Sequence, residues 1–219
     1  MRHAAQNPFL ANFDVDRTGL LLQYFIIEFC AWRALLMCVR QVSSYLLQHG
    51  SRIMALKKEV LDVLNLQIEK EFDASVVYLG MYAYFEKELF KGFAAWFKKQ
   101  TSEERTHAQK IIDYILDRGE VPTIPATKSP RNEFRSVLEA MKAALAHEQA
   151  NTAGIYECLK VAQQVGDPAT AEMLQWFVKE QVEEEKWANE YVDMVEKISS
   201  SVGGLWMFDH RIGKKAESE

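Results

Sequence analysis

Cysteine is scarce in this chain: three residues, Cys30, Cys38 and Cys158, among 219. They are too few and too scattered for a disulfide framework, and no Cys-x-x-Cys is present to hold zinc or an iron–sulfur centre. A reducing compartment, the cytoplasm, is the location expected. Five prolines and ten glycines are few for a β-sandwich with its many turns. Positive charge is also short, with 26 Lys+Arg against 31 Asp+Glu and a net charge of −5. A protein that neutralises phosphates needs the opposite sign, so no nucleic-acid partner is expected. Long hydrophobic runs are limited to residues 20–38, LLLQYFIIEFCAWRALLMC. Glu28 and Arg33 lie inside it, and each would cost ~2.5–3.5 kcal/mol at a bilayer centre. Asp14 and Asp16 precede it and no small-residue cleavage site follows cleanly, which argues against a secretory signal. No membrane association is expected.

Charge divides the chain in two. Residues 1–53 hold five arginines and three acids, a net of +2, whereas residues 54–219 carry −7. Met54 opens MALKKEV, a good start for a helix, and every interpretable pattern lies beyond it. Residues 1–53 are therefore read as an extension outside the fold, and residues 54–219 as one domain.

Beyond Met54 the apolar spacing is helical. Leu56, Val60, Val63, Leu64, Ile68, Phe72 and Val76 step by threes and fours to about Phe85, and EKELFKG suggests a turn. A second helix is predicted over roughly 90–117, stopping before Gly119. Pro122, Pro125 and Pro130 make residues 119–131 an extended connection. Asn132 is the expected cap of a third helix over 133–164. Asp167 and Pro168 then start a fourth, to about Ile198. After Gly203-Gly204 a short fifth helix is expected. No strand pattern competes, so the fold is all-α. The 13-residue middle connection can reach about 43–47 Å at ~3.3–3.6 Å per residue. That matches a ~28-residue helix at ~1.5 Å per residue, so one long crossover can run the length of a four-helix bundle.

Polar groups share helix faces with core positions. Glu71 lies between Ile68 and Phe72, and Tyr78 is two turns further up the same side. Glu104 and His107 are three apart on the second helix, Glu148 follows Leu145 on the third, and Gln181 and Glu184 are three apart on the fourth. Glu71 to Glu104 is 33 residues, and so is Glu148 to Gln181. Two antiparallel hairpins with equal arms bring all of these to one height. A lone Glu at i, i+3 is ordinarily a solvated face, and a lone core tyrosine is ordinarily just packed. Four helices in two equal spacings are harder to obtain by chance. Several carboxylates buried together need a cation, because like charges repel and each loses its hydration. Carboxylate and imidazole donors suit iron or manganese, and two ions can share a bridging carboxylate.

The stretches EKEFDASVVYLGM, EERTHAQKIIDYI, HEQANTAGIYECL and LQWFVKEQVEEEKW make residues 54–219 resemble a bacterial non-haem ferritin. The resemblance implies a ferritin-like four-helix bundle with one long crossover and a short fifth C-terminal helix. It implies that Glu71, Glu104 and His107 hold one iron, Glu104 bridging, that Glu148 and Glu184 hold a second with Gln181 beside it, and that Tyr78 is a nearby redox-active tyrosine. A third iron site would use Glu103, Glu180 and Glu183. The implied activity is ferroxidase, an Fe(II) oxidoreductase using dioxygen or hydrogen peroxide, which deposits Fe(III) oxide mineral inside a hollow cage. The implied partner is more of the same chain, in a homo-oligomer of 24 subunits. No haem is expected, since Arg105 stands where bacterioferritins carry a haem-ligating Met, and Gln181-x-x-Glu184 replaces their second Glu-x-x-His. A rubrerythrin-like di-iron oxidase or peroxidase would carry that second motif and often a cysteine-rich domain. An inert cage subunit that only nucleates mineral would have lost ligands. A DNA-protecting mini-ferritin would lack the fifth helix.

Overall fold

The computed structural model describes residues 55–218; the extension and the Met54 boundary lie outside them. Within that range the chain forms five helices: α1 Lys58–Lys87, α2 Lys91–Asp117, α3 Val137–Gln164, α4 Pro168–Ile198 and α5 Val202–Ser218. There is no strand among the described residues, and none of their helices is long and apolar enough to cross a membrane.

The chain direction of each helix can be read from its contacts. Along α1, Val63, Gln67 and Tyr78 meet Cys158, Asn151 and Glu148 of α3 in reverse order, so α1 and α3 are antiparallel. Arg118, just past the end of α2, pairs with Asp167 at the start of α4, and Trp96 near the start of α2 meets Trp187 on α4. Those two are antiparallel as well. The crossover must therefore run the whole bundle, and it lies along α1: the Thr123 N–H donates to Asn65 Oδ1 at 2.8 Å and the Lys128 N–H to Asp73 Oδ1 at 3.4 Å. Further up, a Cβ on Gly80 would come 2.6 Å from the Arg131 carbonyl, so only glycine lets the two backbones pass.

Two helix starts differ from the sequence expectation. α3 begins at Val137, and its cap is Ser136, not Asn132. The Ser136 hydroxyl accepts from the Glu139 N–H at 3.2 Å while Glu139 Oε2 accepts from the Arg135 N–H at 2.6 Å. This Ser-x-x-Glu arrangement occupies more orphan donors than Asn132 could. The connection is accordingly longer, residues 118–136, and Phe134 packs its ring edge-on to Tyr84 from outside the helix. α5 likewise starts before Gly203-Gly204. Ser201 caps it, its carbonyl accepting from the Leu205 N–H at 3.0 Å and its hydroxyl from the Gly204 N–H at 3.1 Å, so the glycines fall in the first turn. α4 starts as expected, with Asp167 accepting from the Thr170 N–H and Pro168 in the first turn.

The core comes in two parts. One apolar cluster gathers Tyr78, Met81, Phe85, Phe93, Phe97, Met141 and Tyr191, and α5 closes it with Phe208 and Ile212. The other gathers Leu64, Ile68, Ile111, Ile115, Ile155, Leu174 and Phe177. Between the two clusters the facing positions are polar.

Candidate metal centre

The polar layer is built by one or two residues from each of the four long helices. α1 contributes Glu71, α2 Glu104 and His107, α3 Glu148, and α4 Gln181 and Glu184; all six side chains are buried. Helical spacing explains the pairs, since residues three apart project from one face. Ligand atoms of Glu71, Glu104 and His107 lie within 4.8 Å of one another, and so do those of Glu104, Glu148 and Glu184. Glu104 belongs to both groups.

His107 Nδ1 is 3.5 Å from Glu104, 3.8 Å from Glu71 and 3.9 Å from Glu184. Its ring is held edge-on against Trp176 and Phe177. Neither carboxylate oxygen of Glu104, nor His107 Nδ1, has a hydrogen-bond partner, although Glu104 is fully buried. Burial pushes the Glu104 carboxyl well above the usual range, and the charges of Glu184, Glu71 and Glu148 push it further. Glu184 is raised by burial and then by the Glu148 charge. Burial raises Glu148 to about 7 even though the Tyr78 hydroxyl, donating to its Oε1, works in the other direction. Carboxylates desolvated and crowded without partners are destabilising by themselves, and cations among them remove both costs. The donor set and the orphaned atoms therefore fit two ions sharing Glu104.

The remaining residues singled out in the sequence are arranged around this centre. Tyr78 is fully buried, hydrogen-bonded to Glu148 and flanked by Phe97. Burial raises its pKa well above the usual tyrosine value, and so do the neighbouring Glu148 and Glu104 charges. Gln181 faces Glu184: its Nε2 donates to Glu184 Oε2 at 2.5 Å and its Oε1 accepts from the Thr152 hydroxyl at 2.8 Å. Glu103, Glu180 and Glu183 do come together, not in the polar layer but along a cavity of about 420 Å³ between α2 and α4. His107 and Glu184 form the inner wall of that cavity, so it leads from the surface acids to the centre.

Two residues at the centre had no signal in the sequence. Gln67 and Asn151, both buried, hydrogen-bond the two oxygens of Glu71. An uncharged amide at a core position carries no electrostatic anomaly, so only the fold reveals the pair.

Comparison with known proteins agrees with this architecture. The ferritin-like domain family matches residues 61–198. The bacterial non-haem ferritin of Staphylococcus epidermidis is 38% identical over 164 residues, which cover 75% of this chain and 99% of that protein. That of Staphylococcus aureus is 37% identical over the same shares. Among solved structures, an open-pore ferritin from the hyperthermophilic archaeon Archaeoglobus fulgidus superposes with a TM-score of 0.71 at 34% identity, covering 73% of this chain and 98% of that one.

Proposed function

This chain belongs to the ferritin family, and from that premise we propose that it is the subunit of an iron-storage cage and oxidises Fe(II) at the centre described above. Iron is the substrate. Glu71 and His107 would bind one ferrous ion, Glu148 and Glu184 a second, and Glu104 would bridge them. Each ion gives up one electron to dioxygen or hydrogen peroxide. Tyr78, hydrogen-bonded through its hydroxyl to Glu148, would contribute a further electron. Gln181 orients Glu184 and completes the second ion's surroundings. Fe(III) would then leave along the cavity past Glu103, Glu180 and Glu183, a third site of oxygen donors only, towards a mineral held in a homo-oligomeric shell of 24 subunits. The observation that carries this reading is Glu104: shared by both three-residue groups, fully buried, and without a partner for either oxygen.

Stopped-flow absorbance on Fe(II) addition tests it. His107→Ala and Glu148→Ala should lose the fast oxidation phase while the protein still assembles, because both apolar cores flanking the polar layer are left intact. The Glu103→Ala/Glu180→Ala/Glu183→Ala protein should keep the first fast turnover and change the Fe(II) consumed per dioxygen in later ones. Wild-type fast phases in both single variants would overturn the assignment.

A further inference from the structure

Among the candidate carboxylate ligands, Glu71 alone has an amide donor on each oxygen. Gln67 sits one turn before Glu71 on α1, and its Nε2 donates to Glu71 Oε1 at 2.8 Å. Asn151 comes from α3, and its Nδ2 donates to Glu71 Oε2 at 3.1 Å. The two amides are also joined to each other, Gln67 Nε2 donating to Asn151 Oδ1 at 2.5 Å. This closed ring fixes the sense of both amides, since turning either one over would set a carbonyl oxygen against a carboxylate. Gly154 makes room for it. A Cβ there would lie 2.2 Å from Gln67 Oε1 and 2.5 Å from Lys70 Nζ.

The other acids are held less completely. Glu148 takes one bond from the Tyr78 hydroxyl and Glu184 one from the Gln181 amide, each otherwise facing the other's carboxyl, and Glu104 has only other carboxyls and His107 around it. A glutamate loses rotamer freedom when it is fixed, and a ligand fixed beforehand does not incur that loss again on binding. We propose that Gln67 and Asn151 are positioning residues for metal capture, holding Glu71 ready beside His107 so that the affinity of the Glu71–His107 half of the centre, and not of the Glu148–Glu184 half, depends on them. Gly154 belongs to the same device as the space that lets Gln67 reach Glu71.

The inference rests on the two-metal reading above, and a redox-silent probe separates the two. Co²⁺ is titrated by equilibrium dialysis into the full-length chain and into Gln67→Met, Asn151→Leu and Gly154→Ala. The paramagnetically shifted imidazole resonance of His107, identified by its loss in His107→Ala, marks which equivalent fills the Glu71–His107 half. Outer partners of metal ligands are worth about 10–100-fold in affinity. Each variant should therefore weaken the equivalent that shifts His107 by that factor and leave the other within about twofold. Gly154→Ala removes no polar group, so its agreement with the amide variants shows that placement matters and not merely the amides' presence. Equal weakening of both equivalents, or no change in either, overturns the positioning role. A wild-type chain that takes up fewer than two Co²⁺ overturns the two-metal reading itself, and the positioning role with it.

Discussion

Glu148 is subject to opposing pulls, burial raising its pKa to about 7 and the Tyr78 hydrogen bond lowering it. Between the ordinary 4.5 and that value the folded, metal-free chain keeps a proton that the unfolded chain releases, so stability declines as pH rises through this window. Glu104 and Glu184 are raised too and act in the same sense. Glu139, lowered to about 2 chiefly by its hydrogen bonds with Arg135, acts oppositely and only in acid, its contribution being lost as pH falls below the ordinary 4.5. The metal-free protein should thus melt at a higher temperature near pH 5.5 than near pH 7.5, and saturating Zn²⁺ should abolish that decline, because bound metal replaces the protons. Scanning calorimetry at the two pH values, with and without Zn²⁺, checks this. A melting temperature that rises with pH in the metal-free protein would contradict it. The same chemistry explains what was legible at this scale. Carboxylates at 71, 104, 148 and 184 sit among apolar neighbours at helical spacing, and the equal 33-residue separations of Glu71 from Glu104 and of Glu148 from Gln181 expose them. Gln67 and Asn151 occupy equally buried positions but bear no charge, so no electrostatic cost draws attention to them.

At the scale of elements, the four long helices were readable from apolar periodicity, and the Asp167-Pro168 and Gly119 boundaries from their chemistry. The start of α3 was not. Asn132 and Ser136 are both good cap residues, and Glu139, three places after Ser136, decides between them through the Arg135 and Glu139 hydrogen bonds. The glycine pair before Leu205 looked like an interruption, yet it falls within the first turn of α5, capped by Ser201. The turn between α1 and α2 holds a cost that no periodicity predicts: Leu89 takes φ +63°. A left-handed conformation costs a non-glycine residue ~1–2 kcal/mol, and glycine forfeits part of that gain through its greater freedom when unfolded. Leu89 is 60% exposed, so little packing is lost with its side chain. Leu89→Gly should therefore stabilise the protein by about 0.5–1 kcal/mol, seen as a higher denaturant midpoint at unchanged slope. A lower midpoint would contradict this.

At the scale of the described chain, residues 55–218, the decisive feature is a bundle with two apolar cores and a charged layer between them. Buried carboxylates crowded in such a layer are costly unless cations lie among them. The crossover makes it possible, because only a connection running the full length along α1 lets Glu148 face Glu71 and Tyr78 with α1 and α3 antiparallel. Val121 and Ile124 on the crossover, Leu66 and Leu79 on α1, and Met207 on α5 are exposed. The central claim, that one subunit binds a pair of iron ions inside its own four-helix bundle, is tested most directly by anomalous diffraction at the iron edge from crystals loaded anaerobically with Fe(II). The account predicts two peaks about 3.5–4 Å apart within each subunit, with Glu104 between them, His107 on one and Glu148 on the other. Iron found only along Glu103, Glu180 and Glu183, with none between the two apolar cores, would contradict it.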